Sequence, residues 1–351
     1  MHTIGTNIRL TLAGESHSEA ITVILDGLPA GVPVDEVYMR RLLSLRRPQN
    51  ALSTGRAEAD EFRILGGVRN GFTCGTPVCI LIPNTDAHSE DYAALQNTPR
   101  PGHADYTNYV KNGQYAALSG GGAFSGRLTV GIVAAGAIAL SALKQKNIRV
   151  LTHIHTIGGV QDTALTDFDT AYNCLSASAF PVLSESAGEE MRETILLAKT
   201  DCDSVGGILE TVIDGVPAGV GAPWFDSVES VLSHMLFSIP AVKGVEFGDG
   251  FALASMRGSE ANDAFCMENG VRTVTNHCGG ILGGLSDGMP IVFRTAIKPT
   301  PSIAKSQQTV DLQTGESTMI SVGGRHDPCI VPRAAVVVRC AAAICILDLL
   351  G

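Results

Sequence analysis

The stretch GRLTVGIVAAGAIALSALKQK, residues 126–146, carries small and apolar side chains on every face of the helix that its pattern predicts. A helix that is apolar all round has no polar face to present to water, so other layers of the protein must enclose it. A second apolar run, residues 334–347, predicts another buried helix near the end of the chain. We expect these two small-residue helices to form the centre of the fold.

Strand-like runs flank these helices without forming a regular βαβαβ series, which favours an α+β fold with sheets packed on central helices over a doubly wound one. Neither apolar helix is predicted to cross a membrane, because one run is too short and Arg339 interrupts the other. The predicted strands are residues 78–82, 150–155, 207–213, 242–247 and 290–296.

Two segments of the chain have similar sequences. VILDGLPAGV at residues 23–32 resembles TVIDGVPAGV at residues 211–220, and each leads from a strand through a Gly/Pro turn into a helical pattern. The alternative explanation is that both segments use the same common turn sequence independently, but their similarity favours an internal duplication. The best candidate for a domain break, residues 187–200, looks helical, so the prediction is one domain over residues 1–351.

Composition excludes several classes of protein. The 351 residues carry a net charge of −10, which argues against a nucleic-acid surface. Nine cysteines form no CxxC pair and no Cys/His zinc spacing, which predicts reduced thiols and no metal site. The N-terminus passes directly into an alternating run without a signal peptide. These features predict a cytoplasmic protein with no membrane partner.

Three short runs place a histidine among polar residues in Gly-containing turns. An imidazole that titrates near neutrality, beside a permanent cation and a carboxylate, suits proton transfer on an anionic substrate. Any one such run could simply stabilise a surface turn, but the presence of three runs favours a functional role over a purely structural one. The runs are GESH at residues 14–17, RPGHAD at residues 100–105 and GRHDPC at residues 324–329.

The remaining histidines are interpreted structurally. His153 and His155 alternate on a predicted strand, where a polar sheet face is favoured over a metal site. His234 and His277 have no charged neighbours in the sequence.

Glycine-rich segments offer bare backbone to a ligand. Gly120-Gly121-Gly122 precedes Ser125 and Arg127 at the start of the first apolar helix, a pattern that suits anion binding. A flexible loop with a serine cap is the alternative for this motif alone. GGILGG at residues 279–284 and KPTPS at residues 298–302 add further backbone, a cation and hydroxyls. No P-loop and no GxGxxG fingerprint is found.

These runs, in this order, resemble the chorismate synthase family over nearly the whole chain. The motifs are Gly14–His17, Arg100–Asp105, Gly279–Gly284, Lys298–Thr300 and Gly324–Cys329. The resemblance implies 1,4-anti elimination of phosphate from 5-enolpyruvylshikimate 3-phosphate to give chorismate, with reduced FMN required but no net redox change. It also implies a homotetramer whose subunit is a β-α-β sandwich, with the central helices between antiparallel sheets.

By the same resemblance, His17 protonates the departing phosphate and His103 maintains the protonation state of the flavin. Asp327, with Ser16 and Ser125, serves a proton relay, and three arginines, Arg46, Arg47 and Arg127, hold the substrate. The implied flavin contacts are Ser125, Pro240, Ala241, Gly283, Lys298, Pro299, Thr300, Pro301, Ser302 and Arg325.

The chain departs from the family pattern at several positions. Ala123 and Phe124 stand where an Arg and a Ser are common, and Leu45 and Leu52 stand where Arg is common. These changes remove positive charge and leave the histidines and the aspartate intact. No NADPH motif is recognisable, so the flavin could be reduced by this protein or by a separate reductase.

Two other functions compete with this interpretation. A nicotinamide-dependent dehydrogenase would need a dinucleotide fingerprint, which the sequence lacks. A binding protein for phosphorylated metabolites, without catalysis, would explain the Gly/Arg segments but leaves the histidine runs without a purpose. The enzyme is therefore the preferred hypothesis.

Overall fold

A computed structural model describes residues 2–48, 52–53, 59–85, 97–116, 121–268, 270–323 and 326–351. The helices in these residues are α1 Glu36–Arg46, α2 Asp105–Asn112, α3 Thr129–Gln145, α4 Phe168–Leu175, α5 Glu185–Thr200, α6 Val228–Ser238, α7 Gly258–Ala261 and α8 Val331–Leu350. The strands are β1 Thr3–Ile4, β2 Arg9–Ala13, β3 Ala20–Asp26, β4 Arg63–Gly66, β5 Val68–Arg69, β6 Phe72–Thr73, β7 Val78–Pro83, β8 Arg149–Ile157, β9 Val160–Gln161, β10 Gly207–Asp214, β11 Val242–Phe247, β12 Phe265–Met267, β13 Val271–Thr273, β14 Ile281–Leu282, β15 Leu285–Ser286, β16 Ile291–Ile297, β17 Gln307–Val310 and β18 Ser317–Ile320.

Two five-stranded antiparallel sheets dominate the structure. The first has the strand order β1-β2-β3-β7-β4 and the second has the order β9-β8-β10-β16-β11. Ile21 pairs with Ile82 in the first sheet, and Thr211 pairs with Phe293 in the second. The five predicted strands are β7, β8, β10, β16 and β11, so all five are confirmed within one or two residues at each end.

The central helices lie between the two sheets. Helix α3 contacts β3 and β7 of the first sheet and β8 of the second, while α8 packs on α3, β8 and β10. Helix α1 packs against α3 and α8, and α6 packs against α8 and β11. The predicted sandwich of antiparallel sheets around central small-residue helices is confirmed.

Small residues allow the central helices to approach each other closely. A Cβ atom added at Gly136 of α3 would lie 2.2 Å from the Cβ of Cys340 of α8. A Cβ added at Gly131 would lie 2.5 Å from Cδ2 of Leu12 in the first sheet. Burial raises the pKa of Cys340 to about 12, so this thiol packs as a small apolar group. Close backbone packing explains why a large core needs so few aromatic residues.

The predicted internal duplication is visible in the sheet topology. Strands β2, β3, β4 and β7, with helices α1 and α3, follow the same chain order and sheet order as β8, β10, β11 and β16 with α6 and α8. Both repeated turns lead into capped helices. Asp35 accepts a hydrogen bond from the Tyr38 amide at 2.9 Å, and Ser227 accepts one from the Ser230 amide at 3.1 Å. The two halves therefore share one structural plan.

Among the described residues, one helical segment is long and apolar enough to cross a membrane. This segment, Gly126–Gln145, has 89% of its most apolar window buried inside the protein. Its burial between the sheets identifies it as the core helix that the sequence predicts.

Candidate active site

The loop at Gly121 and Gly122 brings two of the predicted histidine runs together. The Gly122 carbonyl accepts a hydrogen bond from the Ser16 amide at 3.3 Å, next to His17. On the other side, a Cβ added at Gly121 would lie 3.3 Å from Cε1 and 3.5 Å from Nε2 of His103. Gly121 also has a φ of +111°, which favours glycine. Bare backbone at this loop therefore allows both histidine turns to approach it.

His103 is oriented by its neighbours in the same turn. Its Nδ1 atom lies 2.6 Å from Oδ1 of Asp105 and 3.1 Å from Nη2 of Arg100. Arg100 binds Asp105 through both side-chain oxygens, at 2.7 and 2.8 Å. Burial alone would raise the pKa of Asp105, but the hydrogen bonds from Arg100 and His103 outweigh it and hold that pKa well below its ordinary value. The ionised carboxylate accepts the Nδ1 proton, which leaves Nε2 towards Gly121 for proton exchange.

Ser16 is fully buried beside His17, which is partly exposed. The Ser16 hydroxyl oxygen lies 2.9 Å from Nδ1 of His17. The turn that carries them is held by Asn84, whose side-chain amide donates to the carbonyls of Glu15 and Ser18 at 3.0 and 2.7 Å. His17, like His103, is therefore positioned by a hydrogen bond at Nδ1.

Asp60 forms ion pairs with the arginines that the resemblance assigns to substrate binding. Nη2 of Arg46 lies 3.0 and 2.8 Å from the two Asp60 oxygens, and Nη1 of Arg127 also donates to Asp60. Arg47 is farther away, with Nε 3.9 Å from Asp60 and a third of its side chain exposed. Asp60 itself is buried and has a φ of +51°, a conformation that the ion pairs must maintain.

These groups form a buried centre of net positive charge. Burial lowers the pKa of Arg46 to about 10, against the opposing effect of the Asp60 charge. Burial would raise the pKa of Asp60, but the charges of Arg46 and Arg127 outweigh it and lower that pKa. Arg127 also donates from Nε to Oδ1 of Asn84 at 2.8 Å, so the arginine centre and the His17 turn share one anchor.

The segment Lys298–Ser302 docks against the His103 turn. Nζ of Lys298 donates to the Gly102 carbonyl at 2.5 Å, and a Cβ added at Gly102 would lie 3.3 Å from the Pro301 Cβ. Nη1 of Arg100 lies 3.5 Å from the Ser302 hydroxyl. The Thr300 hydroxyl is buried and has no hydrogen-bond partner among the described residues. Predicted flavin-binding residues therefore lie next to a predicted catalytic histidine.

The other predicted flavin contacts divide into two groups. Ala241 accepts a hydrogen bond from the Lys298 amide at 2.9 Å, so it lies beside this segment with Pro240, and Ser125 lies next to the Gly121 loop. Gly283 is at the far end of α6, because the Gly284 carbonyl bonds the Val228 amide there. Helix α6, eleven residues or about 16 Å long, runs from this contact to within two residues of Pro240. Arg325 lies outside the described residues.

Asp327 contacts the arginine centre through a third residue. Its carboxylate accepts from Nη1 of Arg333, whose Nε donates to the Arg46 carbonyl at 2.7 Å. Asp327 is therefore an anchored carboxylate four residues before α8. Its contribution to a relay with Ser16 and Ser125 stays a prediction.

Several residues that complete this arrangement were not among the site residues predicted from the sequence. Arg100 and Asp105 were visible in the same short motif as His103, so proximity in sequence was a usable signal. Asp60, Asn84 and Arg333 lie far from their partners in sequence, and no local pattern marks them. Leu52, which stands where the family often has Arg, is partly buried against the hydrophobic core.

The histidines interpreted structurally do not join this site. His153 is buried, with Nε2 3.1 Å from Oε1 of Glu210, as expected for a polar position on a sheet. His277, which has no charged neighbour in sequence, pairs through Nδ1 with Asp249 at 2.5 Å. In the described ranges, no three His, Cys, Asp or Glu side chains are grouped so that they could hold a metal ion.

Comparisons with known proteins agree with the resemblance. The profile of the chorismate synthase family matches residues 8–350. A chorismate synthase of Thermococcus gammatolerans is 48% identical over 98% of this chain and 96% of its own length. One of Methanosarcina mazei is 45% identical over 98% of this chain and 94% of its own. A crystal structure of chorismate synthase covers 99% of this chain and 92% of its own, with a TM-score of 0.75 and 28% identity. The chain therefore belongs to the chorismate synthase family of carbon–oxygen lyases.

Proposed function

We propose that this protein converts 5-enolpyruvylshikimate 3-phosphate to chorismate and inorganic phosphate. In this 1,4-anti elimination the C6–H bond and the C3–O bond to phosphate break on opposite faces of the ring, and a new double bond forms. The placement of His17 and His103 on either side of the Gly121–Gly122 loop is the observation that best supports this activity. The reaction requires proton transfer close to a phosphate leaving group, and histidines can carry it out.

His17 is the proposed acid for the leaving group. The Ser16 hydroxyl at 2.9 Å fixes Nδ1, so Nε2 is the atom from which His17 would give a proton to the phosphate oxygen. Protonation stabilises a leaving group that would otherwise carry more negative charge. His103, oriented by Asp105, would hold a proton at Nε2 for exchange with the cofactor.

The arginine centre is the proposed binding site for the charged groups of the substrate, which carries two carboxylates and a phosphate. Arg46 and Arg127 share one Asp60 carboxylate, and Arg47 adds a partly exposed guanidinium, so the centre retains positive charge. Asp60 fixes both buried guanidiniums before substrate arrives. Such preorganisation lowers the ordering cost of binding and places charge where the transition state needs it.

The residues beside His103 fit a flavin mononucleotide. Lys298 supplies a cation, and Thr300 supplies a buried hydroxyl that has no partner among the described residues. Gly283, at the far end of α6 from this segment, presents open backbone with a φ of +62°. These residues and Pro299, Pro301, Ser302, Pro240, Ala241 and Ser125 are the proposed contacts, together with Arg325, which lies outside the described residues. Burial lowers the pKa of Lys298, with a smaller effect of the Lys243 charge in the same direction. Bound reduced FMN would supply the electron density that the elimination requires.

The exposed Phe124 lies in the 3-10 turn between the Gly121 loop and Ser125. We propose that its ring packs near the flavin, while Arg127 and Arg325 supply the positive charge that Ala123 does not. Asp327, Ser16 and Ser125 are the proposed proton relay. Their hydroxyls and carboxylate can hold and pass a proton near the cofactor.

A cytoplasmic homotetramer of single-domain subunits is part of the same proposal. Self-association is supported by large exposed aromatic side chains, including Trp224, Phe225 and Phe251, each more than four-fifths exposed. A separate flavin reductase could supply the reduced cofactor if the protein does not use NADPH itself.

An anaerobic assay tests the proposed activity. Purified protein is incubated with 5-enolpyruvylshikimate 3-phosphate and either reduced FMN, oxidised FMN or no flavin, and chorismate is measured. Chorismate should form only with reduced FMN. Binding of the substrate without product under all three conditions would instead favour the phosphorylated-metabolite binding protein.

A further inference from the structure

A second pocket lies at the other end of the central helices. Its walls come from α1, α3, α4, α8 and the start of β8, and it encloses about 200 Å³. Ser141 of α3, on its wall, is fourteen residues from Arg127, or roughly 20 Å along the helix. The pocket is therefore separate from the candidate active site.

Cations dominate the charged lining of this pocket. Arg41, Lys144, Arg149 and Arg339 line it, and Asp35 is the one acid in that lining. Arg149 is already neutralised by Asp169 and Asp214, at 2.5 and 2.7 Å. Asp35 caps α1 through a hydrogen bond from the Tyr38 amide. The other three cations therefore leave the pocket positive in a chain whose net charge is −10.

Arg339 is the unusual member of this set, because it is only 4% exposed. Its Nη1 donates to the Ser176 carbonyl at 2.7 Å, and its guanidinium carbon lies 5.6 Å from the centroid of the Tyr172 ring. Its Nε has no hydrogen-bond partner, and no carboxylate pairs with it, among the described residues. A buried cation without an anion is costly, and a bound anion would offset that cost.

The rest of the lining includes two tyrosines and several aliphatic side chains. Leu42, Ile148 and Val150 are buried side chains on the wall, and the Tyr172 ring lies beside Arg339. Burial raises the pKa of Tyr38, with a partial opposing effect of the Arg339 charge. The Tyr38 hydroxyl is therefore a protonated donor at neutral pH, available to an anionic oxygen.

We propose that this pocket binds a small organic anion with a single flat ring, such as an aromatic carboxylate. The carboxylate would pair with Arg339 and the rim cations Arg41 and Lys144, and the ring would lie against the Tyr172 side chain. Neither the proposed reaction nor its substrate is needed for this binding.

Calorimetric titration of the full-length protein with benzoate tests the proposal, with benzamide as the uncharged probe of equal shape. The double variant R41Q/K144Q removes two rim cations and leaves the core intact. It should weaken benzoate binding about five- to tenfold, the loss expected for two partly exposed charge contacts. Benzamide should bind the unaltered protein at least about tenfold more weakly than benzoate.

The matched control is R40Q/K146Q, which removes two exposed cations from the same helix and the same helix end but not from the pocket. It should leave the benzoate dissociation constant within about twofold, since neither exposed side chain lines the pocket and exposed charges contribute little. R339M should abolish benzoate binding while the thermal unfolding temperature is kept or raised, because it replaces a buried cation with an apolar side chain. Absence of saturable benzoate binding, or equal binding by R41Q/K144Q and R40Q/K146Q, would overturn the proposal.

Discussion

The Asp105 carboxylate accepts the Nδ1 proton of His103 across 2.6 Å, and this contact decides which ring nitrogen faces the Gly121 loop. Arg100 holds the carboxylate through two hydrogen bonds, and the pKa of Asp105 is kept well below its ordinary value. The carboxylate is therefore ionised throughout the neutral range, and the tautomer of His103 is fixed.

Asp105→Asn should disturb this arrangement without changing the size of the side chain. The amide can donate to Nδ1 and so favour the wrong tautomer, and we expect turnover to fall by about 10²–10⁴-fold. Steady-state turnover with reduced FMN supplied is the measurement. Asp26→Asn, which breaks an exposed ion pair with Arg9, is the control and should retain near-normal turnover. Equal activity of the two variants would show that Asp105 does not orient His103.

His17→Ala and His103→Ala should each lower turnover by about 10–10⁴-fold, the range for general acid–base groups. His234→Ala is the matched control, because His234 is exposed on α6. Circular dichroism should show unchanged secondary structure in all three variants. If His17→Ala and His103→Ala behaved like His234→Ala, the proton-transfer roles would be wrong.

Asp60→Asn should destabilise the protein by about 3–5 kcal/mol at pH 7, because two buried guanidiniums would lose their shared counter-charge. The pKa of Asp60 is lower in the folded than in the unfolded protein, so its stabilisation is complete above pH of about 4. That stabilisation is lost as the pH falls through the folded value. Urea unfolding of both proteins should therefore give a difference that shrinks on acidification. A difference that is constant from pH 7 to pH 3 would contradict this assignment.

Thr300→Val should weaken flavin binding about five- to tenfold, the loss expected for one hydrogen bond. The stability of the flavin-free protein should hardly change, because the hydroxyl has no partner among the described residues. Fluorescence titration with FMN measures the dissociation constant. Thr295→Val removes a buried hydroxyl inside β16 that likewise has no hydrogen-bond partner within the described part of the chain, and it should leave flavin affinity unchanged. If both variants bound flavin equally well, Thr300 would not be a contact.

The sequence predicted the fold well because the decisive signals were local. The all-round apolar pattern of α3 and α8 and the repeated strand–turn pattern before α1 and α6 each depend on neighbouring residues. The same holds for His103, whose partners Arg100 and Asp105 lie within five residues.

The arginine centre could not be predicted in this way. Asp60 meets Arg127 across 67 positions, and Arg333 reaches Arg46 across 287, so only the three-dimensional fold creates these contacts. The sequence does not predict the basic pocket at Arg339 for a related reason. A single Arg inside an apolar helix looks like an interruption in the sequence, whereas its cationic neighbours come from other helices.

The most direct test of the account measures three quantities in one sealed anaerobic reaction: chorismate, inorganic phosphate and the redox state of the flavin. We expect equal amounts of chorismate and phosphate, with FMN still reduced after many turnovers, because the elimination involves no net redox change. Phosphate release without chorismate, or flavin oxidation in step with product, would contradict it.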